Sequence, residues 1–525
     1  MEDHLISSRP SLRRRLVSIG ILAICVLLLV HLWGIESFVV PTGSMAPALA
    51  GHHREGVCPR CGIHVFVGRH PDDKDGHAGA DYYRNARCFN CGYGPLPLGR
   101  VPEAKGDQIL VNKNIFLFRR PRRWEIIVFR LFGKIFVKRV VGLPGEWIVI
   151  EDGDVYINEV LARKSLQEFK QVRILVFDNN FQPKHEGWRQ RWEYKSGVPQ
   201  TQPDHLLVRA DGEESEDRGS RIEHRPSTLN PQSSILEHDL PLTTHHSPLT
   251  THQVGKDLSL QTETSPEYYH WLTYRNFSLD EAKVLPMRDE YAYNGGMHRG
   301  VEGVHDFMLE CDVEILKGSG NVGLAITDGQ DALLAEIPAG AEGNVRLSRG
   351  PAGIFPPENE RGSAGAQSVL NAPALLRSRT SLKPGRTYHM EMAFVDRRLT
   401  LAVDGERVLD PVDLPPAERR ADVSRPIALG SRGINVVFHN VRLYRDIHYT
   451  QAGKQGVRGR VVRLGADQYF VMGDNSPNSE DSRYWPNQGA VPEANLVGKP
   501  FLLHWPSRVV KQVQLPDWSR LRWLR

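Results

Sequence analysis

Apolar and polar residues alternate over much of this chain, and that pattern limits the folds it can adopt. Residues 107–150 contain runs rich in β-branched and aromatic residues, among them 125–130 and 134–141. Turn signals such as Asp152-Gly153 separate the runs. A period of two over four to eight residues is the signature of a half-buried strand. The sequence therefore predicts a mainly β fold with an all-β body in this region.

The same period returns in the second half of the chain. Apolar residues alternate with polar ones over residues 307–315, 388–394 and 434–438, and residues 399–403 run into the hairpin signal Asp404-Gly405. Several strands separated by turns, without a helical stretch, favour a β-sandwich. The order of the strands resembles the concanavalin-like jelly rolls, and we expect such a sandwich over residues 266–452.

The chain has 525 residues, which is too long for one hydrophobic core. From about residue 196 to 265, Gln, Ser, Thr, His and Pro replace the aliphatic residues. Such a composition buries too little apolar surface to offset the entropy lost on ordering. We expect residues 166–265 to be an inserted linker or low-complexity segment.

An uncharged apolar run occupies residues 16–33 and follows four arginines between positions 9 and 15. A spanning helix needs about 20 apolar residues, and basic residues mark the cytoplasmic side. No small-residue cleavage site follows the run, which argues against a cleaved secretory signal. We expect a cytoplasmic tail over residues 1–15, a transmembrane helix over 16–34, and the remainder outside the plasma (inner) membrane.

Two cysteine knuckles lie in an inserted segment at residues 53–99. Each knuckle has the spacing Cys-x₂-Cys followed by Gly, and together they supply Cys58, Cys61, Cys88 and Cys91. Four thiolates at this spacing suit a structural zinc ion in a zinc-ribbon-like segment. Outside the cytoplasm the same cysteines could pair as disulfides instead, although a bridge within Cys-x₂-Cys is strained.

Three further stretches carry chemistry. Residues 38–47 contain Ser44, residues 138–146 begin with Lys138, and residues 473–483 read Gly-Asp-Asn-Ser-Pro-Asn-Ser-Glu-Asp-Ser-Arg. A serine hydroxyl needs a base within reach to become a nucleophile. A lysine can be that base when burial favours its neutral amine. In this order, behind an apolar segment, the stretches resemble the type I signal peptidases, membrane-bound serine proteases that use a Ser/Lys pair.

The resemblance implies a division of roles among these residues. Ser44 would be the nucleophile and Lys138 the general base. The Ser44 amide and the Thr42 hydroxyl would hold the oxyanion. Ser479 would orient the lysine amine, and the supporting ion pair would be Asp481 and Arg483.

The resemblance also implies a catalytic domain made of residues 36–52, 100–165 and 456–515. Its substrates would be exported preproteins, cut after small residues at Ala-x-Ala sites. Catalysis would need no cofactor. The shallow apolar walls that accept those residues would be formed by Val40, Pro41, Met45, Phe136 and Val137.

Two other readings stay open at this point. A catalytically silent membrane receptor would use the β body as a scaffold and the sandwich to bind a glycan or a protein. Such a protein would be expected to have lost Ser44 or Lys138. The sandwich could also be a glycosidase, which requires two carboxylates facing one cleft. If the peptidase reading holds, we expect the sandwich to be an accessory module that completes no part of the Ser/Lys machinery.

Charge and aromatic residues indicate the remaining partners. The net charge of +4 does not favour nucleic-acid binding. Residues 116–124 and 518–525 combine arginine with aromatic side chains, which suits either a lipid bilayer surface or solvated protein surface.

Overall fold

A computed structural model of the chain describes residues 12–32, 34–70, 82–83, 85–183, 191–195, 252–254, 256–278, 282–295, 302–353, 355, 381–417, 420–510 and 513–524. Among the described residues, every element longer than seven residues is a strand, except for one helix at residues 12–32. In the described part of the chain, the α-helices of four or more residues are α1 (Leu12–Leu32), α2 (Ile115–Phe118) and α3 (Leu166–Val172).

The strands of the first part of the chain are β1 (Ile35–Val39), β2 (His53–Val57), β3 (His64–Gly68), β4 (Gln108–Asn112), β5 (Ile126–Leu131), β6 (Lys134–Gly142), β7 (Trp147–Glu151), β8 (Asp154–Ile157) and β9 (Val160–Leu161). The middle part contains β10 (Ile174–Asp178), β11 (Trp192–Lys195), β12 (His252–Val254), β13 (Asp257–Gln261), β14 (His270–Tyr274), β15 (Phe277–Ser278), β16 (Lys283–Val284), β17 (Phe307–Thr327), β18 (Asp331–Ala339), β19 (Arg346–Pro351), β20 (Arg386–Val395), β21 (Arg398–Val403), β22 (Glu406–Arg407), β23 (Val412–Asp413) and β24 (Ile427–Arg445). The last part contains β25 (Val462–Arg463), β26 (Gln468–Met472), β27 (Val491–Pro492), β28 (Leu496–Trp505), β29 (Ser507–Val510), β30 (Val513–Pro516) and β31 (Arg522–Trp523).

An eight-stranded sheet combines four strands from the first part of the chain with four strands from the last part. Its order is β1-β4-β28-β5-β6-β26-β27, with β31 on β28. Strand β5 shows why this sequence forms a sheet buried on both faces. Ile126 and Val128 belong to one apolar cluster, and Ile127 and Phe129 belong to another. Successive side chains point to opposite faces of a strand, so an uninterrupted apolar run satisfies both. A four-stranded sheet, β25-β7-β8-β9, continues this body.

The second large sheet has 13 strands, and its two long strands β17 and β24 pair antiparallel over most of their lengths. Its core is one cluster of buried apolar side chains that draws on the strands from β10 to β24. Cys311 lies in this core as a free thiol. The chain is therefore mainly β, as predicted.

The predicted linker is narrower than residues 166–265. Helix α3 begins with a capping box in which Ser165 accepts from the Glu168 amide and Glu168 accepts from the Ser165 amide. Strands β10, β11 and β13 belong to the 13-stranded sheet, and Phe177, Trp192 and Leu260 lie in its core. Short strands with one or two large aromatic residues gave too weak a pattern to be read from the sequence. Residues 196–251 lie outside the described residues.

Helix α1 covers most of the apolar run, but it begins inside the arginine cluster, so its first turn is charged. Among the described residues, no helix is both long enough and apolar enough to cross a membrane. The predicted spanning helix over residues 16–34 is therefore not supported by the structure.

The two large sheets are joined by a shared interface. An apolar cluster combines Ile148 and Phe169 from the first body with Met308 and Ala402 from the 13-stranded sheet. Buried Lys164 adds ion pairs to this interface. Its Nζ lies 3.0 Å from Asp396 Oδ1 and 2.7 Å from Asp446 Oδ2. Lys170 bonds Glu391 at 2.6 Å beside this site. The part of the chain built on the 13-stranded sheet, called the sandwich below because it covers the residues predicted to form one, therefore packs directly against the first body.

Replacing Lys164 by alanine should destabilise the protein by about 3–5 kcal/mol, because two buried carboxylates lose their cation. The exposed pair Arg458–Glu151, at 3.2 Å, provides the control. Arg458→Ala should cost at most ~1 kcal/mol, since exposed pairs contribute little. Urea unfolding of both variants measures the difference, and equal midpoints would show that Lys164 does not hold the interface.

Candidate active site

Ser44 lies in a short turn that leaves the sheet. Strand β1 ends at Val39, and a 3₁₀ helix, Gly43–Met45, follows after Thr42 in an extended conformation. Ser44 is half-buried and Thr42 is exposed. The Thr42 Oγ1 atom lies 3.4 Å from the Ser44 Oγ atom. Two hydroxyl groups are thus held next to each other at the surface of the turn.

Lys138 lies on β6 with its side chain turned into the protein. The residue is only 3% exposed, and its Nζ donates to Ser479 Oγ at 2.9 Å. Burial lowers the pKa of Lys138 to about 8, although the negative charge of Asp481 opposes this shift. A substantial fraction of the amine is therefore neutral near physiological pH and able to accept a proton.

Ser44 and Ser479, which accepts from Lys138, approach each other at Gly473. The Asn475 amide donates to the Ser44 carbonyl at 3.0 Å. A Cβ atom on Gly473 would lie closer than 3.0 Å to both Ser479 Oγ and the Ser44 carbonyl oxygen. The turn that carries the hydroxyl and the serine that holds the amine are thus separated by the width of one glycine. This close approach explains the glycine at this position.

An ion pair that is fully buried supports the same loop. The Asp481 carboxylate accepts from Arg483 twice at 2.8 Å, and its Oδ2 also accepts from the Gly473 amide at 3.1 Å. Arg483 donates further to Thr450 and Ser476. Burial alone would raise the pKa of Asp481, but the Arg483 guanidinium outweighs it and the pKa lies below the usual carboxyl value. The pair therefore stays charged and fixes the backbone around Gly473.

A second buried ion pair was missed by the sequence analysis. Arg139, next to Lys138 on β6, donates to Asp474 at 2.7 and 2.6 Å and to the Trp124 carbonyl at 2.5 Å. An arginine inside a buried apolar strand was the available signal, since a buried charge requires a partner. Strand β6 is thereby tied to the loop 473–483 at two adjacent residues.

The apolar residues predicted to line the substrate site do not share one environment. Met45 is 0% exposed and Val40 3%, so both pack in the core beneath the turn and present almost no surface. Phe136 and Val137 are half-buried on β6, and Pro41 is exposed. The buried pair was predicted as lining because sequence alone does not show to which side of the turn a residue points.

The four knuckle cysteines come together as predicted. All are buried, and Sγ atoms of the two knuckles approach to 3.7 Å (Cys58–Cys91) and 3.6 Å (Cys61–Cys88). All are free thiols. Tetrahedral zinc with Zn–S bonds of about 2.3 Å places its sulfurs about 3.8 Å apart, so the spacing fits. The cluster could therefore hold a metal ion.

Glycines make the knuckles possible. In each, the residue after the second cysteine donates its amide to the first cysteine's carbonyl, Gly62 to Cys58 at 2.9 Å and Gly92 to Cys88 at 2.8 Å. Gly62 has φ 80° and Gly92 has φ 74°. Glycine adopts this left-handed conformation without steric cost.

Comparison with known proteins agrees with this site over part of the chain. The family "Signal peptidase, peptidase S26" matches residues 102–221 and 398–505, which include Lys138 and Ser479 but not Ser44. The two matched stretches together cover less than half of the chain. The first matched stretch ends outside the described residues, and the second begins at Arg398, the first residue of β21 in the 13-stranded sheet.

Curated relatives give the same result. Signal peptidase I of Pseudomonas fluorescens is 46% identical over 68 residues, 11% of this chain and 23% of that protein. Signal peptidase I V of Bacillus subtilis is 37% identical over 70 residues, 13% of this chain and 42% of that protein. The chain thus spans about a quarter of the length of the first relative. Both relatives are signal peptidases I, and in each comparison most of this chain and most of the relative remain unmatched.

Among solved structures, the carbohydrate binding module CBM66 from Bacillus subtilis is 16% identical, covers 37% of this chain and 90% of its own, and has a TM-score of 0.21. The galectin LEC-6 of Caenorhabditis elegans is 14% identical, with 26% and 83% coverage and a TM-score of 0.18. TM-scores this low support no conclusion on fold or ligand.

Gly473→Ala should abolish most of the peptidase activity proposed below, because the added methyl group pushes Ser479 and the Ser44 turn apart. The control is Gly99→Ala, where a Cβ atom meets no atom within 4 Å. Cleavage of a peptide that carries a signal-peptidase site measures activity, and thermal unfolding shows whether each variant is folded. A folded Gly473→Ala variant as active as Gly99→Ala would contradict the close approach.

Proposed function

We propose that this protein is a serine endopeptidase that removes signal peptides from exported preproteins. The observation that carries the proposal is the buried Lys138 amine, held by Ser479 at the point where the Ser44 turn approaches. A charged surface lysine could not take a proton from serine. A desolvated one with a pKa of about 8 can.

The proposed reaction begins when neutral Lys138 takes the proton of the Ser44 hydroxyl. The Ser44 oxygen then bonds to the carbonyl carbon of the peptide to be cut, and the carbonyl oxygen becomes an oxyanion. When the intermediate collapses, the C–N bond breaks and Lys138 gives its proton to the leaving amine. Water, activated by the same amine, hydrolyses the acyl ester and restores Ser44.

The Thr42 hydroxyl supports the oxyanion role predicted for it. It lies beside Ser44 Oγ and is exposed, so it faces the side from which a substrate arrives. Together with the Ser44 amide it would donate to the oxygen as charge develops there. Ser479 would keep the lysine amine in place throughout.

The edge of β6 favours an extended peptide as substrate. In the part of the chain that the structure describes, residues 134–138 pair with β5 on one side, whereas pairing with β26 starts only at Arg139. An unpaired strand edge can accept another strand through main-chain hydrogen bonds. A peptide added there would run alongside Phe136 and Val137 toward Lys138, and their half-buried side chains would favour small apolar residues.

Ser44→Ala and Lys138→Arg should each lower cleavage of a model preprotein by several orders of magnitude, because nucleophile and base act as one unit. Arginine fails as a base since its guanidinium is not deprotonated in proteins. In the wild type, kcat/KM should rise with pH and level off above a pKa near 8, as the amine of the free enzyme becomes neutral.

Lys113→Ala is the control, because Lys113 is an exposed lysine outside β6 that pairs at the surface with Glu36. It should retain the wild-type rate and the same pH profile. Ser44-dependent cleavage by Lys138→Arg would remove lysine from the base role.

For the four cysteines we infer one structural zinc ion. The purified protein should contain about one zinc per chain, and Cys61→Ser with Cys88→Ser should remove it and lower the melting temperature. Cys25→Ser is the control, since Cys25 is exposed and lies in α1. Metal analysis together with thiol titration decides the matter: no zinc and only the two free thiols of Cys25 and Cys311 in the wild type would mean disulfides.

A further inference from the structure

The segment 289–295 leaves the sandwich and ends at the candidate active site. It follows β16 and contains a 3₁₀ helix, Ala292–Asn294, which contacts the Ser44 turn and β3 of the cysteine segment. These residues belong to the region predicted to be an accessory module that completes no part of the Ser/Lys machinery. Its contacts reach the loop 473–483 and the Ser44 turn.

The start of the segment is fixed to the sandwich. Met287 packs in the sandwich core, and its amide donates to the Val423 carbonyl at 2.7 Å. Asp289 pairs with the buried Arg445 at 2.9 Å. The Arg445 guanidinium also lies 4.6 Å from the centre of the Tyr291 ring. The position of the segment is therefore set by the 13-stranded sheet.

Tyr293 wedges the segment against two glycines. A Cβ atom on either Gly43 or Gly68 would come closer than 3.0 Å to the Tyr293 ring. The ring clusters with Ala46 and Ala50 of the turn that follows Ser44. The sandwich thus packs directly on the backbone next to the proposed nucleophile.

Asn294 makes the specific link. Its Nδ2 donates to Asn475 Oδ1 at 2.9 Å, and Asn475 Nδ2 donates back to Asn294 Oδ1 at 2.7 Å. Asn475 Nδ2 also donates to the Gly43 carbonyl at 3.0 Å, and the Asn475 amide donates to the Ser44 carbonyl at 3.0 Å. One residue therefore holds two consecutive carbonyls of the nucleophile turn.

The Gly43 carbonyl decides which way the Asn475 side chain faces, and the reciprocal amide pair holds it there. An amide has a donor end and an acceptor end, and only one orientation presents its NH₂ group to Gly43. Asn294 offers both a donor and an acceptor, so it holds the Asn475 amide at two points in that orientation. Tyr291 adds a hydrogen bond from its hydroxyl to the Asp474 carbonyl at 2.8 Å.

We propose that Asn294 of the sandwich is a positioning residue for catalysis, which acts through Asn475 to hold the Ser44 turn at the distance that Lys138 requires. The proposal rests on the proposed function for its kinetic consequence. Its structural consequence, the ordering of the Ser44 turn by the sandwich, stands apart from that function and has its own readout.

Asn294→Ala in the full-length protein should lower kcat for a model preprotein by roughly 10- to 100-fold, the scale of a misplaced reacting group. KM should change little, because the β6 edge is untouched. The pH profile should keep its apparent pKa near 8, since the surroundings of Lys138 are unchanged. Amide hydrogen exchange should show lost protection of the Asn475 amide, which donates to the Ser44 carbonyl.

Asn179→Ala is the matched control. Asn179 is a buried sandwich asparagine that accepts from Trp192 Nε1 at 2.9 Å and donates to the Lys256 carbonyl at 2.7 Å, away from the Ser44 turn. It should lower stability without changing kcat or Asn475 exchange. Should Asn294→Ala fail to fold, Asn294→Asp keeps the shape and the acceptor but loses the donor, and a fall in kcat is again expected.

Equal kcat in Asn294→Ala and wild type, or parallel losses in Asn294→Ala and Asn179→Ala, would overturn the positioning role. If the wild type does not cleave the model preprotein, the proposed function fails. In that case loss of Asn475 protection in Asn294→Ala alone still supports the ordering of the Ser44 turn, and unchanged protection overturns it.

Discussion

The hydrogen bond from the Lys138 amine to Ser479 connects strand β6 to the loop 473–483. The site depends on keeping that amine out of water. Desolvation is what lowers its pKa. It is achieved by a strand that is apolar on both faces and by a loop that returns from more than 300 residues later in the chain. A loop that merely passed nearby would let water reach the amine and restore its charge.

Charge balance around the amine follows from this requirement. Lys138 lies between two buried ion pairs, Arg139–Asp474 and Asp481–Arg483. Asp481 favours the ammonium and Arg483 opposes it. Burying such pairs costs desolvation energy, and breaking one leaves an uncompensated charge, which makes the loop geometry strict.

The parts of this site that could be predicted from the sequence are those whose residues form a local sequence pattern. The strands of the body, the loop 473–483 and the cysteine knuckles each carry a local pattern, and the structure brings Lys138 to Ser479 and the four thiols together. The ion pair of Arg139 with Asp474 and the amide pair of Asn294 with Asn475 have no such pattern. Asparagine is common in loops, and nothing local distinguishes one that caps a turn from one that meets a residue 181 positions away. The extent of the linker was misjudged for a related reason, because β10 and β11 are stabilised by a sheet whose other strands are remote in sequence.

The geometry of the site therefore depends on whether the inserted sandwich is folded. An insertion joined only at its two ends could unfold without disturbing the host. Here it contributes Tyr291, Tyr293 and Asn294 to the surroundings of the Ser44 turn, and it accepts Lys164 from the host. Each neutral hydrogen bond contributes only about 0.5–1.5 kcal/mol net. The links to the Ser44 turn are too weak to decide whether the host folds. They are strong enough to decide which of several close positions the turn occupies, and a hydroxyl that must meet a buried amine is sensitive to that choice.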